Sequence, residues 1–436
     1  MDLTLSPEVI QSEEAILSSG LSVRPTFLSL NNSLWRIALI AGIAQLSASI
    51  WTWQFAISLD SFLSSWQIGE VFAAGILAGL VGFTLSGALA DTIGRKMALV
   101  ISFIPQVVGL LLLYLIPIWP FIPLSYSLQY FGWSFVLVIV RAIPADEISK
   151  DSGPTATRKI TMVLMPAYAV DAISPILAVL LLQLGMQAHS LLLVGIMAAI
   201  AAIGLTAVFV EDEYDPVLSL SEEQVSENPL KELGKPFWIF TIAMLAYYSA
   251  WGMASPYIGI LSVNEWGVSL DVYGLVTSIF SIVTVLVMYT LSGIAGHRTK
   301  LGLVISLVGN SFIMIAIGIG SGIWLLILLN GLWAAPLVVW TATEGILIVN
   351  GVPADMKGTA LGVFSSMTSA TGLFAAPLGA LVWSISDSLR FLWIVSGGLA
   401  MAFAVLAWWA LKRVKIRSGK HNSATKIISQ NQSITK

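Results

Sequence analysis

Cysteine is absent from the 436-residue chain. That one absence excludes disulfides, thiolate metal sites, iron–sulfur ligation and cysteine nucleophiles together. Imidazole is nearly as scarce: His189, His297 and His421 are the only histidines, so no metal cluster is expected. A Gly-rich phosphate loop ending in Lys-Ser or Lys-Thr is missing, which argues against a nucleotide-driven pump. His, Asp and Ser do not gather at one interface as a membrane-embedded enzyme would need, so the chain is not read as an enzyme. Charge is the last shortage. Charged residues make up 10% of the chain and hydrophobic ones 57%, whereas a soluble globular chain carries roughly 25% charged residues. A surface so poor in ions cannot be covered against water, and the chain reads as an integral membrane protein.

What is present is a series of apolar runs of about 20 residues, each long enough to cross roughly 30 Å of hydrocarbon as a helix. Charged, Pro-rich and Gly-rich breaks predict helices near 34–57, 68–90, 97–117, 121–142, 159–185 and 190–210. A second set is predicted near 236–261, 270–295, 301–319, 323–349, 358–384 and 390–411. The expected fold class is an all-α polytopic membrane protein with twelve transmembrane helices. Residues 1–33 are polar and acidic with Arg24 as their only base; they lack the basic start of a signal peptide and read as a cytosolic tail. An even number of spans puts both termini on one side, and every Lys and Arg except Arg390 falls on that side. By the positive-inside rule both termini are expected in the cytoplasm of a plasma-membrane protein.

The longest internal hydrophilic stretch, residues 211–235, separates apolar segments 34–210 and 236–411, and a basic tail follows at 412–436. The two segments echo each other. Ser86-Gly87-Ala88-Leu89-Ala90-Asp91-Thr92-Ile93-Gly94-Arg95-Lys96 follows the second helix of the first half. Ser292-Gly293-Ile294-Ala295-Gly296-His297-Arg298-Thr299-Lys300 follows the second helix of the other, two residues shorter and without the acid. Pro154 with Arg158 and Pro353 with Lys357 precede the fifth helix of each half, the base four residues after the proline in both. Echoes at matching positions predict two pseudo-symmetric six-helix bundles joined by a solvated linker.

The run Gly87-Ala88-Leu89-Ala90-Asp91-Thr92-Ile93-Gly94-Arg95-Lys96 resembles the Gly-x-Leu-Ala-Asp-Arg-x-Gly-Arg-Lys signature of the major facilitator superfamily, in the loop where that family carries it. Thr92 stands where the family has a base, and the second copy is decayed. Glu147 to Arg158, with Pro154 between, is similar to the Glu…Pro…Arg pattern that several solute-porter branches place between helices 4 and 5. The resemblance covers about residues 34–411. It implies a secondary active transporter that moves a small organic solute (a sugar, polyol, metabolite or drug-like cation) by alternating access, with no cofactor beyond an ion gradient, most simply of protons. It also implies that Asp91 and Arg95 latch the cytoplasmic ends of helices 2 and 11 in the outward-open state, with Lys96, Arg141, Glu147 and Arg158 in the same gate. Gly87 would let helix 2 approach a neighbour closely, and Gly94 would permit a tight turn. The competing reading is a transporter-like sensor or scaffold without transport. The lipid bilayer and a small solute are the expected partners, nucleic acid is not, and the chain is expected to work as a monomer.

Ionisable groups at membrane depth are costly and are functional candidates by default. Asp171 sits about 16 Å into the fifth helix, near the midplane. A carboxyl at that depth is a candidate carrier of the coupled proton. Glu344, nearer the cytoplasmic end of the tenth helix, is a second coupling candidate or a partner for Arg141 or Lys357. In the family resembled, the first helix of each three-helix unit lines the cavity. The polar stripes of those helices nominate Gln45, Ser49 and Trp53, then Gln129 and Trp133, then Tyr247, Tyr248 and Trp251, and finally Asn330, Trp333 and Trp340. No Lys, Arg or His falls in the middle of any span, which disfavours anionic solutes and leaves neutral or cationic ones.

Overall fold

Long apolar segments must satisfy their own backbone hydrogen bonds in lipid, and here each becomes a helix. The structure is a computed structural model that describes residues 30–148, 154–210, 233–291, 299–352 and 357–412. Twelve helices long and apolar enough to cross a bilayer lie among the described residues. They are α1 (Asn32–Asp60), α2 (Ser65–Ile93), α3 (Arg95–Leu115), α4 (Phe121–Ile148), α5 (Pro154–Gln183), α6 (Leu191–Phe209), α7 (Gly234–Ala254), α8 (Leu270–Leu291), α9 (Thr299–Ile319), α10 (Ile323–Gly351), α11 (Lys357–Ser386) and α12 (Leu389–Leu411). The linker expected at 211–235 falls largely outside the described residues.

Local chemistry sets several ends. Asn31 accepts a hydrogen bond from Leu34 N at 2.9 Å and starts α1. Ser64 and Gln67 form a capping box on α2. Gly94 joins α2 to α3 with φ +84°, a conformation open to glycine, so the tight turn expected there is present. The seventh segment, expected near 236–261, breaks at Pro256, a residue that marks a bend in the sequence. Its α-helix stops at Ala254, because Pro256 has no N–H to continue the ladder. The chain goes on as a 3₁₀ turn at Ser255–Tyr257, a helical turn at Ile258–Ile260 and a π turn at Leu261–Glu265. The last residue of that turn, Glu265, caps α12, accepting from Leu389 N at 2.6 Å, and pairs with Arg390 at 3.5 Å.

The helices pack as two copies of one arrangement. Within the first six, α1 packs on α5 and α6, α4 on α2 and α3, and α3 on α6. Adding six to each number reproduces the main contacts of the other half: α7 on α11 and α12, α10 on α8 and α9, and α9 on α12. The same operation relates the two main seams between halves, α2 against α11 and α8 against α5. Large aromatics such as Trp51, Trp340, Trp393 and Tyr257 are fully buried inside. Apolar side chains such as Leu184, Trp324 and Ile385 are more than three-quarters exposed, a surface suited to lipid rather than water.

Candidate functional site

Two acids sit at depth, one in each half. On α5, Asp171 turns toward α1, where Gln45 and Ser49 stand one helical turn apart. Gln45 Nε2 donates to Asp171 Oδ1 at 2.8 Å and Ser49 Oγ donates to the same oxygen at 2.6 Å. The other carboxylate oxygen accepts from Ser281 Oγ of α8 at 3.3 Å. Asp171 therefore ties its own bundle to the opposite one. Gln45, Trp133, Tyr168 and Asp171 also line a cavity of about 120 Å³ on the first half.

Glu344 on α10 faces a larger cavity of about 410 Å³ between the halves. Tyr248 O–H donates to Glu344 Oε1 at 2.7 Å, and Trp340 Nε1 donates to Oε2 at 2.8 Å. Both of these donors are neutral; the side chains of Arg141 and Lys357, the partners considered from the sequence, lie outside the described residues. The rest of the wall includes Tyr130 of α4, Trp251 of α7, Phe83 of α2 and Phe364, Ser365 and Thr368 of α11.

Other nominated residues lie elsewhere. Tyr247 is fully buried between α7 and α9, donating to Leu307 O at 2.9 Å and accepting from Asn310 Nδ2 at 2.8 Å. Trp333 Nε1 donates to Asn310 Oδ1, in the same interior network. Asn330 folds back onto Leu326 O at 2.9 Å. Gln129 is buried against the α3 backbone at Gly109. Trp53 donates to Ile50 O at 3.1 Å and packs on Tyr273 of α8, at the seam. None of these five lines the large cavity. The common reason is angular: adjacent helical residues point about 100° apart, so Tyr247 meets α9 while Tyr248 meets the cavity.

Sequence reading passed over Ser281, Asn310 and the hydroxyl stripe of α11. The stripe had a signal, since Ser365, Thr368 and Ser369 recur at helical spacing. Of the gate residues, Gly94, Arg95 and Lys96 mark the α2–α3 joint. Gly87 and Asp91 fall in the last turns of α2, Arg141 and Glu147 near the end of α4, and Arg158 near the start of α5. The side-chain placement of Asp91, Arg141, Glu147 and Arg158, and with it the latch, lies outside the described residues.

The halves meet tightly at the end that carries the α1–α2 and α7–α8 loops. Asn264 Nδ2 donates to Asp60 Oδ2 at 2.5 Å across them. A β-carbon on Gly259 would lie 3.1 Å from Ile57, one on Gly274 2.7 Å from Val179, and one on Gly69 2.8 Å from Ala380. The large cavity begins below this closure, near Ile76 and Ala376, and runs along α2 and α11 toward Phe83 and Phe364.

Neither a protein-family model nor a curated protein sequence matches the chain. Solved structures do match. A mutant form of the nucleoside transporter NupG superposes with TM-score 0.77 at 14% identity, covering 87% of this chain and 100% of that one. A POT family transporter in complex with a thioalcohol-conjugated peptide gives 0.73 at 12% identity, over 90% and 98%. A D-xylose–proton symporter gives 0.70 at 14% identity, over 89% and 100%. Identities this low speak to the fold, and the fold is that of the major facilitator superfamily: an all-helical chain of twelve membrane-length helices among the described residues.

Proposed function

We propose, from a major facilitator fold with an acid-bearing cavity between its halves, that this chain is a multi-pass secondary active transporter of a small organic solute. The observation that carries the reading is the pair of seams. The halves touch mainly along α2–α11 and α5–α8, related by the same six-helix repeat, so rocking about them exposes a central cavity to one side and then the other. The positive-inside count places the termini in the cytoplasm, which makes the closed Asp60–Asn264 end the outer one and the conformation inward-facing. Proton coupling is assigned to Asp171, which lies near the midplane and bonds to both halves. The Asp91 and Arg95 latch of the superfamily belongs to the opposite, outward-open state. The chain works as a monomer in the plasma membrane and needs no bound cofactor. A transport-inactive sensor has no specific observation in its favour.

The cysteine-free sequence makes the test direct. In an Asp60→Cys/Asn264→Cys protein, a short reducible thiol cross-linker should join the halves and arrest solute turnover in proteoliposomes, and reduction should restore it. Unimpaired turnover with the pair fully cross-linked would overturn alternating access about these seams.

A further inference from the structure

We infer that the solute is a small organic cation carrying a hydrogen-bond acceptor, bound with its nitrogen at Glu344 and its acceptor at Trp251. This rests on reading the large cavity as the solute site. The argument begins with charge. Glu344 is the acid in the cavity wall, and no Lys, Arg or His lines that wall among the described residues. A carboxylate shut into a low-dielectric interior without a counter-charge costs several kcal/mol. Its two protein partners, Tyr248 and Trp340, are neutral donors. They fix the orientation of the carboxylate without cancelling its charge, and they use two of its roughly four acceptor positions. Among the described residues no base takes the remaining lone pairs or supplies the compensating charge, and a cationic ligand would do both.

The surroundings favour a cationic ligand over a proton alone. Tyr248 packs on Trp340 with ring centroids 4.7 Å apart, and Trp251 stands edge-on to Trp340 at 6.1 Å. Phe364 closes the same cluster, 6.5 Å from Tyr248. Aromatic faces around an acid attract an ammonium group through their quadrupoles and hold its methylenes by contact. Selectivity against anions follows from the same charge.

A second observation places the acceptor. Trp251 Nε1 is buried in the wall and donates to no protein atom among the described residues. An indole N–H in that position gains a bond from a hydroxyl, ether or carbonyl oxygen on the solute. The hydroxyls of Ser365, Thr368 and Ser369 give the opposite wall further polar contacts. The volume of about 410 Å³ admits a molecule of modest size.

The test uses the full-length purified protein and matched probes that differ in charge. One series is tyramine, tyrosol and 4-hydroxyphenylacetate; the other is choline and its uncharged isostere 3,3-dimethylbutan-1-ol. Binding is read by tryptophan fluorescence and thermal shift. At least one amine should bind about tenfold or more tighter than its uncharged partner, a difference of about 1.4 kcal/mol. Glu344→Gln should erase that preference, and Glu344→Asp should keep part of it. Trp251→Phe should weaken tyramine more than phenethylamine, which lacks the phenolic oxygen. Equal or tighter binding of the alcohols or the acid, binding in no arm, or an amine preference that survives Glu344→Gln would each overturn the inference. The wild-type comparison stands even if a variant fails to fold. The Asp60/Asn264 cross-link decides alternating access independently, so the two readings fail separately.

Discussion

Asp171→Asn should reduce solute accumulation driven by a pH gradient to the level of protein-free liposomes, while solute exchange across equal pH continues. The expectation follows from the bonds the side chain makes. Asn keeps an oxygen for Gln45 and Ser49 and offers its amide to Ser281 Oγ, so the local geometry of the neutral acid is reproduced. What disappears is the exchangeable proton. The same bonds explain how a proton would be felt by the whole molecule. Hydrogen bonds to a charged group contribute about 1.5–3 kcal/mol and neutral ones about 0.5–1.5 kcal/mol, so neutralising Asp171 weakens its hold on Ser281 by roughly 1 kcal/mol. That link crosses the α5–α8 seam, and its loosening biases the equilibrium between the two rocked states. Proteoliposome uptake with and without an imposed pH step measures both halves of the prediction. Full accumulation in the variant would assign coupling elsewhere, with Glu344 next in line.

A comparable loss, this time of stability, is expected from Gly109→Leu. Gly109 on α3 faces the backbone of α4, where an added β-carbon would lie 2.6 Å from Ser125 O and against Gln129 N. Gly132 on α4 faces α3 in return, with Ser102 O at 2.6 Å and Gln106 N at 2.7 Å from its own notional β-carbon. The helices touch backbone to backbone, as small residues allow in lipid. A leucine forces them apart and disturbs the 2.8 Å bond from Gln106 Nε2 to Ser47 Oγ that ties α3 to α1. Overpacking of this kind costs about 3 kcal/mol at the upper end of its usual range. Gly331→Ala is the control: nothing lies within 4 Å of a β-carbon there, and the change should be close to neutral. Thermal unfolding followed by the emission of the 16 tryptophans reads both variants, and thiol-reactive dyes have no native target in this chain. An unchanged melting temperature in Gly109→Leu would mean that α3 and α4 do not approach this closely.

The helices were legible because what defines them is local. A run of apolar residues must bury its backbone polar groups within itself, and that requirement depends on no distant partner. The break in the seventh segment was legible too, since Pro256 changes the hydrogen-bond pattern within a single turn. The site was legible in part. Asp171 and Glu344 stand out in any apolar helix, but Ser281 lies 110 residues from Asp171 and belongs to the other half. Tyr247, Asn330 and Trp333 share composition and helix with the residues of the cavity wall, yet a rotation of about 100° per residue sends them into the bundle interior. Gln129 was lost to the close α3–α4 contact, which depends on Gly109 and Gly132 meeting face to face.

By itself, then, the amino-acid sequence determined the membrane class, the twelve helices, the repeat and the two acids at depth, since each is a property of a short stretch of residues and its cost in hydrocarbon. Tertiary structure alone decided which end of the molecule is closed, that Asp171 bonds across the α5–α8 seam, and that Glu344 meets Tyr248 and Trp340. Those outcomes depend on which faces of separate helices are pressed together. Burial is shared between partners far apart in the chain, and no local pattern encodes the partner.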